Sequence, residues 1–324
     1  MVPWGCPLFI ATYSGDVEAL KCIIRGGVGL NDQTNDFGTT ALACALNFGQ
    51  LEACELLIKA GADPYVEDFS HMSAFDIAWM TILLQNEPPE YLWKFEELFH
   101  GQNRLDDWNL TNVHKVVVGR MYADLEQQIR FSGSSVNAKD AFGHTALWWA
   151  ALKGDVNSAS TLLLNGADHK IADNISSTPM HAAVQSGNVE VVKLLLQYGA
   201  DATAVDSWGS TTMMFAIWHN DFSLIDLLLK EGVDIHARDK CLGQTALSFA
   251  AKTNQADSVR FLLQLGAELD AKDDYGDSPL FLSVHGKCPD STRVLVEAGA
   301  NMGLRNKCGQ KFYIMRQSLE QRRL

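Results

Sequence analysis

The chain lacks any run of about eighteen apolar residues, so no membrane-crossing helix is expected. Its first residues lack the apolar core of a secretory signal, because Ser14, Asp16 and Glu18 interrupt the segment. Cysteine is present but unpatterned. The seven residues Cys6, Cys22, Cys44, Cys54, Cys241, Cys288 and Cys308 are odd in number and form no C-x-x-C pair. That reads as reduced thiols in a cytoplasmic or nuclear protein rather than a disulfide framework. The sequons at Asn109 and Asn174 carry no weight without secretion. Catalytic signatures are missing too: there is no H-E-x-x-H, G-x-S-x-G, P-loop or G-x-G-x-x-G. The acidic group Asp273, Asp274 and Asp277 lacks the twelve-residue calcium-loop pattern and its closing Glu. No catalytic residue, cofactor or metal is therefore expected.

Positive charge is also scarce, at 26 Lys/Arg against 39 Asp/Glu, a net charge of −13. From Gly303 onward the chain holds six Lys/Arg and one Glu, which leaves 20 basic and 38 acidic side chains on everything before it. Such a body repels phosphate backbones, so nucleic acid is not an expected partner. The acidity serves either solubility or long-range attraction of a basic protein partner.

What the chain has is repetition. A small residue that opens a helix recurs at Cys6, Thr40, Ser73, Thr111, Thr145, Thr178, Thr211, Thr245 and Ser278, with a truncated copy at Lys311. The spacing is 33 or 34 residues apart from one step of 38. Two places on stands an apolar residue, as at Leu8, Leu42, Phe75 and Leu147, and five places on a small one, as at Ala11, Ala45 and Ala150. Each copy reads as helix, turn, helix, extended turn. Thr178 with Pro179 forms a helix start. Gly187 closes the first helix, and Gly199-Ala200-Asp201 closes the second. One such unit cannot bury its own faces, but a stack of neighbours can.

With the motifs D-A-F-G-H-T-A-L-W-W-A-A-L-K-G-D (Asp140 to Asp155) and S-T-P-M-H-A-A-V-Q-S-G-N (Ser177 to Asn188), the period resembles that of ankyrin-repeat proteins over essentially all 324 residues. A narrower resemblance, to ankyrin arrays of filamentous fungi, rests on T-N-V-H-K-V-V-V-G (Thr111 to Gly119), Asp124 to Glu126 and Val136 to Asp140. The resemblance implies an all-α solenoid of paired antiparallel helices with β-hairpin-like finger loops. Residues 1–324 would form a single array of about nine repeats with a C-terminal half-repeat as a cap. It also implies a monomeric, non-catalytic scaffold or adaptor that grips a protein through its fingers and the concave ends of its first helices. The alternative is a fragment or accessory targeting module of a larger signalling or biosynthetic assembly. His181 and His114 take the T-P-x-H position, where the resemblance implies a hydrogen bond to a neighbouring turn.

Three residues before the markers, the fingertips carry Phe37, Phe142, Ile175, Trp208, Leu242, Tyr275 and Cys308. Exposed loops are normally polar, so these side chains either pack on the adjacent finger or serve as interface anchors. Trp218 ends the first helix of the copy that carries Trp208. Trp148 replaces the usual histidine and is expected between repeats, while Trp149, one position further round, is expected to reach the concave face. The candidate protein-binding residues are thus Phe37, Phe142, Trp149, Trp208, Trp218 and Tyr275.

The array departs from its pattern near residues 73–110. The step of 38 implies an insertion of about five residues, and Asn86 to Glu90 contains Pro88-Pro89. The aromatic stripe Tyr91, Trp93, Phe95 and Phe99 is expected in the core. The segment is either a degenerate repeat or a hinge or partner-binding bulge, and proteolytic nicking is expected between Gln85 and Glu90 or near Phe131 to Ser135.

Overall fold

A computed structural model describes residues 7–34, 38–69, 72–84, 108–131, 135–218 and 221–309. The proline-rich break, the aromatic stripe after it, Phe37 and the C-terminal half-repeat lie outside the described residues. The chain groups into two compact units, Met1–Lys153 and Gly154–Leu324.

The first unit contains α1 (Pro7–Ser14), α2 (Val17–Arg25), α3 (Ala41–Asn47), α4 (Leu51–Lys59), α5 (Ala74–Leu84), α6 (Asn112–Val117), α7 (Leu125–Phe131) and α8 (Ala146–Leu152). The second contains α9 (Val156–Leu164), α10 (Pro179–Ser186), α11 (Val189–Gln197), α12 (Thr212–Trp218), α13 (Phe222–Lys230), α14 (Ala246–Lys252), α15 (Ala256–Gln264), α16 (Pro279–His285) and α17 (Pro289–Glu297). Within each unit, described first helices pack on their own second helices and on the next first helices. In the first unit α1 touches α2 and α3, and α3 touches α4 and α5; in the second α14 touches α15 and α16. Second helices pack on second helices, as α2 on α4 and α15 on α17. The result in each unit is two helical layers, as stacked repeats require.

The helix starts follow from the marker residues. The hydroxyls of Thr40, Thr145, Thr245 and Ser278 accept the amide three residues on, at 3.2 to 3.3 Å. Thr178 pairs instead with His181 Nδ1 at 2.9 Å, ahead of Pro179 at the first helical position. The stops use backbone that only glycine adopts freely, such as Gly187 at φ 71°.

The apolar register is a core register. Leu8, Leu42, Phe75, Val113, Leu147, Met180, Met213, Leu247 and Leu280 are all buried, none exposing more than 1%. Burial of each such side chain stabilises by about 1.5–3 kcal/mol. The small residues five places after the markers sit where helices approach, and Ala45, Ala150, Ala183, Ala216 and Ala250 are fully buried. A leucine from each second helix, including Leu57, Leu195, Leu228 and Leu262, is equally sealed. Buried thiols belong to this core: burial pushes Cys44 and Cys54 up to about 12, which leaves them unreactive.

The extended turns form hairpin-like fingers. Single antiparallel bridges join Gln33 to Thr40, Lys139 to Thr145, Val205 to Thr211 and Arg238 to Thr245. No described helix is long and apolar enough to cross a membrane.

Candidate protein-binding face

Each finger is built around one aspartate. Asp140 Oδ1 accepts the amides of Phe142 and His144 at 2.9 and 2.8 Å. Asp173 accepts those of Ile175 and Ser177, Asp206 those of Trp208 and Ser210, and Asp273 those of Tyr275 and Asp277, all within 2.7 to 2.9 Å. An aspartate that bonds the backbone two and four residues on closes a tight turn, and the residue two places on stands at its tip. The fourth finger of this type has one extra residue, so Asp239 bonds Leu242 and Gln244.

Main-chain bonds tie each tip to the next finger. In the second unit the carbonyls of Ile175, Trp208, Leu242 and Tyr275 accept from Ser207, Lys240, Asp274 and Lys307 at 2.9, 2.6, 2.8 and 2.8 Å. Gly209 permits this approach, because a Cβ there would stand 2.7 Å from Lys240 N. The ladder places Trp208 and Tyr275 in one row with Leu242 between them. Tyr275 is 57% exposed, Trp208 is half-buried, and Cys308 at the last described tip is exposed.

The first unit treats its aromatics differently. Phe142 is half-buried and meets the edge of Trp108, ring centroids 5.2 Å apart. Trp149 requires a correction: it does not reach a concave surface but is fully buried, with Nε1 donating to Asp140 Oδ2 at 2.9 Å. The physical reason is helical phase. The step from Trp148 to Trp149 turns the side chain toward the finger of its own repeat, where a buried carboxylate satisfies the indole N–H. Trp148 is also buried and stacks on His144 at a centroid distance of 3.7 Å. Trp218 closes α12, but its side chain lies outside the described residues, as does all of Phe37.

The turn carboxylates feel these settings. Burial favours a protonated Asp140, yet the hydrogen bond and charge of His144, with Trp149 Nε1, outweigh it and hold the carboxyl below the ordinary aspartate range. Asp206 is raised by burial, since its backbone and Ser210 bonds do not compensate. Burial also lowers His114 and His181, which are lodged at helix starts; His114 Nε2 lies 3.2 Å from the His144 carbonyl oxygen. His114 thereby ties its helix start to the next turn, whereas His181 bonds Thr178 and leaves its buried Nε2 without a hydrogen-bond partner among the described residues.

Sequence reasoning missed how charge is distributed. Described first helices carry a single acid, Asp76, which serves Ser73 and Trp108. Second helices carry acids repeatedly, and most of their cations are matched locally: Lys21 with Glu18, Lys59 with Glu55, Arg130 with Glu126, Lys230 with Asp226, Arg260 with Asp257 and Arg293 with Asp290. The fingers of the second unit instead show exposed Arg238, Lys240, Lys272, Arg305 and Lys307. The signal was present as one basic residue beside the finger aspartate, or the asparagine in its place, in successive copies.

Three stretches, residues 4–68, 115–206 and 213–306, match the family described as ankyrin repeats. Among curated proteins, the neurogenic locus notch homolog protein 1 of Mus musculus is 34% identical over 195 residues, which is 53% of this chain and 7% of that protein. Its Homo sapiens counterpart is 33% identical over the same share. The human SH3 and multiple ankyrin repeat domains protein 2 is 26% identical over 176 residues, 53% of this chain and 9% of that protein. The chain therefore spans less than a tenth of the length of these relatives.

Proposed function

We propose, from the premise that the chain belongs to the ankyrin-repeat family, that it is a non-catalytic scaffold or adaptor whose finger and first-helix face binds a protein partner. Ankyrin repeats generally mediate protein–protein interaction. The observation that carries the reading here is the tip row of the second unit, where hydrogen-bonded fingers hold Trp208, Leu242 and Tyr275 side by side, with Tyr275 largely in solvent. Exposed aromatics on a rigid backbone lose few rotamers on binding and make good anchors. A single array over 1–324, a monomeric state and a cytoplasmic or nuclear location remain part of the proposal, the last supported by unpaired thiols.

The partner's charge needs a distinction. The acids that suited a basic partner stand mostly in turns, caps and loops among the described residues, so they support long-range attraction over the body as a whole and say little about the finger row. A second reading, an accessory or targeting part of a larger assembly, is favoured by the far greater length of the matched relatives.

The test is affinity capture from the native cell with the wild-type chain and the Trp208→Ala/Tyr275→Ala variant, followed by measured affinity for the captured protein. A hot spot at either position weakens binding by about 2 kcal/mol, roughly thirtyfold. A variant that folds and binds its partner as tightly as wild type removes the tip row from the site.

A further inference from the structure

We propose that the fingers between Arg238 and Lys307 form a docking ridge for an acidic, extended segment of a protein partner. The inference rests on the interaction-module reading and adds the chemistry of what is bound. The first observation is a row of exposed cations on the fingers of an acidic protein. Arg238, Lys272 and Arg305 occupy the same place in three successive fingers, one residue before Asp239, Asp273 and Asn306. Lys240 and Lys307 stand one residue after Asp239 and Asn306. All five are exposed.

The second observation is what these cations touch. On second helices, most lysines and arginines meet carboxylates three or four residues away, Arg25 and Lys193 excepted among the described residues. On the ridge, none of the five has a carboxylate at ion-pair distance among the described residues. Arg238 donates to the Lys272 carbonyl, Lys272 Nζ to the Arg305 carbonyl at 3.1 Å, and Arg305 to the Gly309 carbonyl at 3.1 Å. Arg238 and Lys272 are thereby laid along the next finger, while Arg305 is held within its own, each without a carboxylate at ion-pair distance. The nearby acids are occupied: Asp239 and Asp273 bind turn amides, and Asp273 also receives Gln244 Nε2.

The pattern selects a peptide over a nucleic acid. Exposed Asp274 stands between Lys240 and Lys307 in the same register, so the row alternates in sign. A phosphate backbone charged at every unit meets repulsion there, whereas a peptide places its carboxylates only where they are needed. Equivalent positions in stacked repeats lie about 10 Å apart. An extended or polyproline-type segment rises about 3.1–3.4 Å per residue, so acids about three residues apart meet successive fingers. Leu242 and Tyr275 at the tips offer apolar contact to the residues between them.

The probe is a fluorescein-labelled peptide of about ten residues, with Glu at every third position and Leu between, titrated with the full chain in about 50 mM and 150 mM salt. The comparison ligands are the same peptide with Lys for Glu, and a single-stranded RNA oligonucleotide. The expected result is saturable binding of the Glu peptide that weakens with salt and falls tenfold or more in Lys240→Glu/Lys307→Glu. Among the described residues neither lysine side chain makes a hydrogen bond or ion pair, so the fold is expected to be retained; if the double charge reversal fails to fold, Lys240→Ser/Lys307→Ser is measured instead. Unchanged affinity in the folded variant, equal or tighter binding of the Lys peptide, or tighter binding of the RNA overturns the inference. The two readings fail separately. If Trp208→Ala/Tyr275→Ala abolishes capture of a partner while the lysine variants lose nothing, the interaction face stands and the acidic ligand falls. If the Glu peptide binds in a lysine-dependent way and capture ignores Trp208 and Tyr275, the ridge stands and the tip row falls.

Discussion

The fingers headed by Asp140 and Asp273 share one turn design and put it to opposite ends. Around Asp140 the carboxylate serves two backbone amides, the His144 ring at 3.2 Å and Trp149 Nε1 at 2.9 Å. Trp108, Phe142, His144 and Trp148 close over it as a continuous aromatic cluster. Around Asp273 the same two backbone bonds remain, but the side-chain partner is Gln244 and the tip residue Tyr275 turns outward. The turn itself decides neither outcome. What decides is whether a large side chain with a polar hydrogen stands close enough to draw the carboxylate and the aromatics into one core.

The sharpest way to break this comparison is to truncate one aromatic from each finger. Trp149→Ala removes a fully buried indole and is expected to cost about 3–5 kcal/mol. Tyr275→Ala is expected to cost about 0.5 kcal/mol or less, as surface substitutions do. Urea unfolding followed by circular dichroism measures both. Similar costs would mean that the two aromatics are not core and surface at all. Because stacked repeats can unfold in steps, the loss for Trp149→Ala should fall on the transition that reports the first unit.

A smaller effect separates the carboxylates. Asp140→Asn replaces a charged acceptor in a buried network and leaves either His144 or Trp149 poorly matched, at an expected cost of about 2–3 kcal/mol. Asp206→Asn removes a charge that burial already disfavours, so about 1 kcal/mol or less is expected, since the amide oxygen still accepts from the turn. Thermal melts of the two variants, side by side, give the ordering. Equal shifts would show that the aromatic cluster adds nothing to Asp140.

Acid should widen the gap between the two units. His114 is held below its ordinary range by burial, so below about pH 6.5 the unfolded state takes up a proton that the folded state does not, and stability falls. Asp140 is held below the ordinary aspartate range, so its contribution is present above pH 3.8 and is lost as the pH falls through its folded value. Both effects weaken the first unit in acid. In the second unit His181 acts as His114 does, but Asp206 and Asp277 are raised, chiefly by burial, and bind protons more readily folded than unfolded. They partly offset the loss from His181. Hydrogen exchange from pH 7 to about pH 3 should therefore show α6 and α8 losing protection before α10 and α14. Simultaneous loss across both units would contradict this sign.

Much of the fold was legible because its signals are local and periodic. The period located the helices, the residues two and five places after each marker were core residues, and the second-helix glycine stops fell where backbone conformation demanded them. The site was legible only in outline. The fingertip register identified which residues stand at turn tips, because the aspartate two residues earlier fixes the turn. It did not reveal which tips face water. For Trp149, a helical phase of one residue and a partner nine positions earlier in the chain decided burial, and neither is visible in the period. Net charge misled for a related reason: it sums over faces, and acids spread over turns, caps and loops concealed the exposed basic row on the fingers.

The smallest prediction concerns positions where the sequence breaks its own glycine rule. Gly15, Gly49, Gly154 and Gly187 end first helices with φ between 64° and 71°. At the equivalent place Lys287 holds φ 56°, as Asn254 holds φ 59°. Asparagine tolerates this left-handed backbone, but lysine gains nothing there that offsets its Cβ strain. The strain is about 1 kcal/mol, and a new glycine returns part of that by loosening the unfolded chain. Lys287→Gly is thus expected to stabilise the second unit by about 0.5 kcal/mol, while Asn254→Gly should change little. Asn254 also accepts the amides of Asp290 and Ser291 through Oδ1, at 3.1 and 3.2 Å, and the glycine variant loses those bonds. The two substitutions therefore differ in sign or nearly so at matched geometry. A chemical-denaturation series that found Lys287→Gly destabilising would show that the lysine side chain, not the backbone, sets the energy of that helix stop.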